Sequence, residues 1–308
     1  MDRKLNVTYI TLGGYVELHK YRYLYFVIIF GVYILITCCN STIVFLIVIE
    51  KNLHEPMYVF IAALLSNSIL YSTNIYPKLV IDIVSEKQII RSHLCFFQAY
   101  IYYILIFAEF LLLAAMSYDR YVSICKPLQY PTIMRKRSVN ILLILAWLFP
   151  ACGLTLHSVF LTDVKLCSFT LKGIFCNNSF YKLLCVISGV QLLYGAAVFL
   201  SISLFPALFI LFSYTRILII SYRSCKSVRS KAAQTCLPHL LVLINFSCFI
   251  TYDVVVVRLE SDFPQNFRLI MTLQMIVYHP LLNPIMYGLK MKEIFKQLKR
   301  LLFQLKSH

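Results

Sequence analysis

The residues that could carry chemistry in this chain lie inside, or at the ends of, long apolar stretches. Asp119, Arg120 and Tyr121 are consecutive at the end of one stretch, and Asn283-Pro284 lies near the end of another. A carboxylate beside a guanidinium can hold it through two parallel hydrogen bonds, and a charge in apolar surroundings must pair or reach water. Such a pair can hold one conformation until the arginine is released. We therefore predict a conformational switch here rather than a bond-making site.

The sequence contains no arrangement typical of an enzyme. The seven histidines, His279 among them, are scattered along the chain, and no His/Cys cluster has the spacing of a zinc site. Neither a catalytic triad nor a phosphate-binding loop fits the apolar pattern, and Gly13-Gly14 is an isolated pair. We expect no enzymatic activity and no cofactor.

Composition places these residues in a membrane protein. Hydrophobic residues make up 60% of the 308 residues and charged residues 14%, against about 45–50% and about 25% in soluble domains. Because lipid cannot satisfy unpaired backbone groups, and the alternating segments of a membrane barrel are missing, we predict an all-α bundle of seven transmembrane helices. The apolar runs, each long enough to cross a bilayer, are Leu24–Ile49, Met57–Ile81, Cys95–Tyr118, Val139–Leu161, Leu192–Ile220, Cys236–Val257 and Phe267–Leu289.

The distribution of charge predicts the orientation. The net charge is +16, but the basic residues lie in short segments between apolar runs, which argues against nucleic-acid binding. Their densest clusters follow the third, fifth and seventh runs, as is typical of cytoplasmic loops facing anionic lipid. We therefore expect residues 1–23 to form an extracellular tail, 24–289 the transmembrane domain, and 290–308 a cytoplasmic helix and tail.

Both ends of the chain carry further signals. Asn6, in the sequence Asn-Val-Thr, fits the N-glycosylation pattern on the outer tail, whereas the same pattern at Asn177 is a weaker candidate. At the other end, Lys290–Lys306 places apolar residues at helical spacing with lysines on the opposite side. We expect this segment to be an amphipathic helix on the inner membrane surface.

Four cysteines fall on the outer side. Cys95 opens the third run, and Cys167, Cys176 and Cys185 lie in one long loop. Four cysteines allow three pairings, and an oxidising exterior favours disulfides. We favour Cys95–Cys176, which would tie the loop across the mouth of the bundle, with Cys167–Cys185 closing a local ring.

Short motifs at the helix ends are similar to those of one receptor family. They occupy Leu53–Tyr58, Met116–Leu128, Ser213–Tyr214, Lys231–Leu240 and Leu282–Tyr287. The Asp-Arg-Tyr and Asn-Pro-x-x-Tyr elements resemble rhodopsin-like (class A) G-protein-coupled receptors in general. The Met-Ser-Tyr-Asp-Arg-Tyr, Lys-Ala-x-x-Thr-Cys-x-x-His and Leu-His-x-Pro-Met-Tyr elements resemble the odorant receptors, and Ile75–Asp82 is similar to fish members.

The resemblance implies a switch at the inner face. Freed from Asp119, Arg120 would line a cavity for the G protein together with Tyr214 and Tyr287, and Tyr121 completes the motif. Pro284 removes a backbone hydrogen bond beside Asn283, which would make the seventh helix bendable.

The resemblance also implies a ligand pocket in the outer half of the bundle. An aminergic receptor would carry an aspartate in the place of Tyr102, and an opsin a lysine inside the seventh helix. Neither is present, and the pocket is apolar and aromatic, which suits small neutral molecules. Its expected lining is Tyr102, Tyr103, Ile106, Phe107, Val198, Phe199, Ile202, Ile250, Thr251, Val254 and Leu273.

Glu109 is the sole acid in the middle of the third run, and a carboxylate inside a membrane is a functional candidate by default. In many relatives an aspartate stands in the place of Ser68 and holds a sodium ion together with the acid matching Glu109. Two roles stay open in this chain. Glu109 could form a weaker sodium site with Asn40, Ser68 and Asn283, or it could be protonated and hydrogen-bonded to its neighbours.

One motif departs from the family pattern. Relatives usually show Phe-Tyr-Gly midway along the sixth helix, where this chain has Phe246-Ser247-Cys248. The sequence therefore leaves open how contact with a ligand would move the sixth helix. Near the outer end of that helix, Asp253 and Arg258 are candidates for a helix-end ion pair or, less favoured, for binding a polar ligand group.

We expect a plasma-membrane odorant receptor that binds a small odorant and activates a stimulatory heterotrimeric G protein. The alternative is another class A chemosensory or peptide-responsive receptor with a different ligand class. A small transporter or channel is disfavoured because we find neither internal repeats nor charged, broken helices at mid-membrane.

Overall fold

The computed structural model of the protein describes residues 8–161, 164–222, 240–253 and 263–306. Its long helices follow the order of the apolar runs and extend beyond most of them, because polar residues continue the helices into the interfacial regions. The helices are α1 (Leu18–Ile49), α2 (Pro56–Val84), α3 (Ser92–Cys125), α4 (Lys136–Leu161), α5 (Gly189–Phe199 and Phe205–Tyr222, joined through the wider turn Leu200–Leu204), α6 (Leu240–Thr251), α7 (Gln265–Lys290) and α8 (Lys292–Lys306).

The predicted seven-helix membrane bundle is confirmed. In the described part of the chain six helices, α1 to α5 and α7, are long and apolar enough to cross a membrane, and α6 is a shorter apolar helix between residues that are not described. Large side chains such as Val27, Val48 and Ile144 face outward. In water such a surface would be costly, whereas in a bilayer it contacts lipid.

The third helix forms the centre of the bundle. Two thirds of its most apolar segment (67%) is buried inside the protein, against 22% for α4 and for α5. Its polar residues Glu109 and Asp119 are each 1% exposed. A buried carboxylate needs hydrogen-bond partners from neighbouring helices. The position of α3 therefore makes Glu109 a point of contact with α7, whereas Asp119 meets the turn that follows α3.

Two prolines in α7 leave backbone carbonyl groups that other helices satisfy. Pro280 has no N–H for the carbonyl of Ile276, and that oxygen accepts a hydrogen bond from the Tyr76 hydroxyl of α2 at 3.0 Å. Pro284 likewise frees the carbonyl of Pro280, which accepts from the Asn40 amide of α1 at 3.1 Å. The two carbonyl groups freed by the prolines are therefore satisfied by side chains of α1 and α2.

The tail before α1 contains a strand that the polar, mixed sequence of residues 1–23 did not lead us to expect, and the end of the bundle that carries this tail is called the outer end below. β1 (Tyr9–Leu12) pairs antiparallel with β2 (Ile89–Arg91) and parallel with β3 (Thr170–Leu171). The available signal in the sequence was the short run Tyr-Ile-Thr-Leu, whose residues are exposed and buried in turn in the structure. Gly14 follows the strand, and a Cβ there would lie 2.5 Å from the backbone of Gly173, so only glycine fits this approach.

Two disulfides fasten the long outer loop. Cys95 at the start of α3 is bonded to Cys176, 81 residues later, and Cys167 is bonded to Cys185, 18 residues later. These are the two pairings favoured from the sequence. The first bond lies beneath the small sheet, in an apolar cluster with Ile10. The loop is thereby held over the outer end of the helices.

The amphipathic segment after the last span is helical, as α8. Ile294 is buried, and Leu298 reaches Gly288 of α7, where a side chain would meet both it and Ile43 of α1. The apolar side of α8 therefore packs on the inner ends of α1 and α7.

Candidate functional site

The inner end of α3 carries the predicted ion pair in a modified form. Arg120 Nε lies 3.7 Å from Asp119 Oδ2, a single contact rather than the two parallel hydrogen bonds we expected. Adjacent residues of a helix point in different directions, so a side-by-side fork is hard to form. Asp119 Oδ1 instead accepts a hydrogen bond of 2.9 Å from the hydroxyl of Tyr130, in the short helical turn Tyr130–Ile133 after α3.

Tyr130 was not among the predicted site residues. Its burial, and then the negative charge of Asp119, raise the pKa of the Tyr130 phenol. The phenol therefore keeps its proton and donates to the carboxylate. Of the other residues predicted for this end, Tyr214 and Tyr287 are buried, and Tyr121 is partly buried against the core.

Glu109 lies in a buried cluster at the middle of the bundle. Its Oε2 is 2.7 Å from His279 Nε2, and its Oε1 accepts a hydrogen bond of 3.0 Å from Asn283 Nδ2. The same Asn283 amide also donates to Ser68 Oγ at 3.0 Å. Asn40, expected at this site, donates instead to backbone carbonyls of Ile36 and Pro280. The scattered histidine His279 is therefore a site residue that the sequence did not reveal.

Neither carboxylate oxygen of Glu109 is free to bind a sodium ion. A hard cation is bound by several oxygen atoms, whereas both carboxylate oxygens of Glu109 face nitrogen atoms of α7. Ser68 supplies a hydroxyl in the place of a second carboxylate, and that hydroxyl already accepts from Asn283. Of the two roles left open for Glu109, the contacts favour hydrogen bonding to its neighbours.

A cavity of about 290 Å³ lies in the outer half of the bundle between α3, α4, α5 and the long outer loop. Four of the eleven predicted pocket residues line it: Tyr103, Phe107, Val198 and Phe199. The remaining lining comes from residues of α4, the loop and α5 that were not predicted, and they are Leu154, His157, Asn178, Tyr181, Gly195, Ala196 and Leu200.

The other predicted pocket residues do not line this cavity. Tyr102 is fully buried and donates to the sulfur of Met275 at 3.3 Å, while Ile106, Ile202 and Ile250 are packed in the core. Leu273 is partly buried against the same core. Thr251 is exposed and donates to the carbonyl of Ser247. Val254 lies outside the described residues.

Polar groups form the outer wall of the cavity. His157 Nε2 is 2.7 Å from the hydroxyl of Tyr181, and Gly195 leaves room for the imidazole, since a Cβ there would lie 3.0 Å from His157 Cε1. A second cavity of about 240 Å³ shares His157, Asn178, Tyr181 and Gly195 and continues outward along α5. The site can therefore offer hydrogen bonds at one end of an otherwise apolar space.

Asp253 connects the cavity to α6. Its buried carboxylate accepts hydrogen bonds from Tyr103 at 2.7 Å and from Asn177 at 2.6 Å. Arg258, the expected ion-pair partner of Asp253, lies outside the described residues. Asn177 is itself buried, which makes this second sequon a poor acceptor for a glycan. Asn6, the favoured glycosylation site, also lies outside the described residues, as does most of the motif Lys231–Leu240.

An aromatic residue next to the departure at Ser247 contacts both α3 and α7. Phe246, one residue earlier on α6, stacks on the His279 ring with centroids 4.5 Å apart and lies 4.8 Å from the ring of Phe110 on α3. Contacts from α6 thus reach both the outer cavity, through Asp253, and the central cluster, through Phe246.

In the described part of the chain six spanning helices and a shorter apolar one surround a cavity and a buried polar cluster, an arrangement that fits a seven-helix membrane receptor. Comparison with known proteins is more specific. The sequence model described as "Olfactory receptor" matches residues 29–305. The chain is 32% identical to human olfactory receptor 2A12 over 273 residues, 87% of each chain. It is also 31% identical to human olfactory receptor 10AG1 over 311 residues, 96% of this chain and 98% of the relative.

A canine relative, the olfactory receptor-like protein OLF4 of Canis lupus familiaris, is 30% identical over 291 residues, 92% of each chain. The chain belongs to the olfactory receptor family. It is therefore a multi-pass membrane receptor rather than an enzyme, and coupling to G proteins is general in its family.

Proposed function

We propose that this receptor lies in the plasma membrane with its N-terminus outside and its C-terminus in the cytoplasm. Residues 1–23 form the outer tail, 24–289 the helical receptor domain and 290–308 the inner amphipathic helix and tail. The clusters of Lys and Arg after the third, fifth and seventh helices support this orientation. The outer disulfides support it too, because they need an oxidising compartment.

The ligand is a small neutral odorant in the cavity between α3, α4 and α5. The observation that carries this proposal is the hydrogen bond from Tyr103 to Asp253, because Tyr103 lines the cavity and Asp253 belongs to the end of α6. A molecule that displaces the Tyr103 ring changes the contact that holds α6. The cavity volume of about 290 Å³ is at the small end for ligand sites.

Affinity for such a ligand is modest. About 12 heavy atoms at roughly 0.5–0.7 kcal/mol each give about 6–8 kcal/mol, which corresponds to dissociation constants from tens of micromolar to micromolar. Only the part of this energy that favours the open state drives signalling.

On the inner side, the open receptor promotes nucleotide exchange on a stimulatory G protein and raises cAMP. Release of Arg120 from Asp119 exposes the guanidinium beside Tyr214 and Tyr287, with Tyr121, Asn283 and Pro284 as the other parts of the switch. Arg120 and Asp119 share a single long contact of 3.7 Å, which supports an ion pair that a small free-energy preference for the open state can separate.

A panel of volatile neutral molecules tests the proposal on cells expressing the full chain, with surface receptor measured through an epitope on the outer tail. We expect a subset of the panel to raise cAMP, and nucleotide exchange on a stimulatory Gα but not on inhibitory or Gq-type subunits. A response confined to peptides or to charged metabolites would favour the alternative class A receptor. Coupling only to another Gα subtype would contradict the stimulatory assignment.

A further inference from the structure

The histidine–glutamate contact at the centre of the bundle is a link between α3 and α7. His279 and Glu109 are 2% and 1% exposed, and their polar atoms are 2.7 Å apart. An uncompensated carboxylate at this depth would be costly, so its partner must satisfy it there. Because Asn283 takes the second carboxylate oxygen, α7 supplies hydrogen bonds to both.

The imidazole is fixed from two other directions. Phe246 of α6 stacks on its face, with ring centroids 4.5 Å apart, and Tyr71 of α2 meets it edge-on at 5.6 Å. The side chain of His279 is therefore held between α2, α3 and α6. A ring clamped in this way cannot turn from the carboxylate to make room for an ion without disturbing α6.

We propose that His279 takes the place of a bound cation at Glu109, so that the resting bundle is closed by a hydrogen bond within the chain and needs no sodium. The nitrogen atom of the imidazole occupies the side of the carboxylate where an ion would have to bind. Its contact with Phe246 also makes the link sensitive to the position of α6. The sensitivity of the link to α6 matters for signalling only if the proposed receptor function holds, whereas the absence of a sodium requirement does not depend on that function.

The test uses the purified full-length receptor and compares its thermal unfolding midpoint in sodium chloride and in choline chloride at equal ionic strength. For wild type we expect midpoints that agree within about 1 °C. For His279→Ala, Glu109 has lost its partner, and we expect a lower midpoint that sodium raises by roughly 2 °C or more. The double variant His279→Ala/Glu109→Gln should lose this sodium response.

Tyr76→Phe is the matched control, because it also removes one buried hydrogen bond to α7 but does not touch Glu109. It should lower the midpoint equally in both salts. A sodium-specific rise in wild type that disappears in Glu109→Gln would overturn the proposal. Equal midpoints of His279→Ala in the two salts would also overturn it, since His279 would then not be what keeps a cation away. Neither measurement needs an odorant or a G protein, so failure of the proposed function leaves the result interpretable.

Discussion

Tyr130 and Asp119 are joined by a hydrogen bond of 2.9 Å, which ties the turn after α3 to the acid that pairs with Arg120. The carboxylate is therefore shared: one oxygen accepts from the phenol and the other faces the guanidinium. Arg120 is held by a partner whose own position depends on the inner loop. The closed inner face is a three-residue arrangement rather than a pair.

Loss of the Tyr130 hydroxyl should raise signalling in the absence of ligand. A hydrogen bond to a charged group contributes about 1.5–3 kcal/mol, and every 1.4 kcal/mol is tenfold in an equilibrium. Since only part of this favours the closed state, we expect Tyr130→Phe to raise basal cAMP roughly threefold to tenfold per surface receptor. Thr132→Ala, an exposed change in the same turn, is the control. Equal basal signals in both variants would show that the bond does not restrain the switch.

The link between cavity and α6 should behave as one unit in a double-mutant cycle. Tyr103→Phe and Asp253→Asn each weaken the same hydrogen bond, so their effects on the maximal cAMP response should not add. We expect a coupling of about 0.5–3 kcal/mol between the two positions, measured from concentration–response curves for one agonist. Strictly additive losses would mean that Tyr103 acts on the ligand alone.

Gly195 should limit the size of the ligand. A methyl group there would stand 3.0 Å from the His157 ring, inside the cavity wall. Each methylene in an apolar pocket is worth about 1–3 kcal/mol, so we expect Gly195→Ala to weaken the response to the largest active odorants by roughly tenfold and to the smallest much less. Gly189→Ala on the same helix, where a Cβ has no neighbour within 4 Å, should leave the ranking of odorants unchanged. A uniform shift for all odorants in Gly195→Ala would point to misfolding instead.

The two disulfides should differ in their contribution to stability. In the loop-entropy view, closing 81 residues constrains the unfolded chain by about 4–5 kcal/mol and closing 18 residues by about 3 kcal/mol. We expect Cys176→Ser to reduce surface receptor more strongly than Cys185→Ser, measured by labelling of intact cells. Cys152→Ser removes a cysteine that forms no disulfide and should have little effect. Surface levels as high for Cys176→Ser as for Cys152→Ser would contradict the structural role of the longer link.

The sequence predicted the bundle because transmembrane helices leave a strong signal in the length of apolar runs. The terminal helix α8 likewise follows from local spacing, whereas the compartment left three pairings for the four cysteines, and the favoured one is present. Glu109 was found for the same reason, since a single acid in an apolar run is visible without any knowledge of packing.

His279 and Tyr130 could not be found this way. The contact of His279 with Glu109 depends on how α7 is rotated against α3, across 170 residues of sequence, and a lone histidine in a helix carries no mark of its partner. We expected the cavity too close to α6 and α7 for a similar reason. Gly195 opens space beside α4, and only the packing of the helices shows next to which helix a missing side chain leaves a cavity. The strand β1 was missed because four alternating residues are a weak signal in a polar tail.

We propose that Arg120 is restrained at the inner face until a ligand binds at the outer one. The most direct test of this restraint is cAMP production by Arg120→Ala, at surface expression matched to wild type, for an odorant that activates wild type. We expect the odorant-dependent rise to be lost, because the freed guanidinium is the group that we propose to contact the G protein. An undiminished rise in the variant would contradict it.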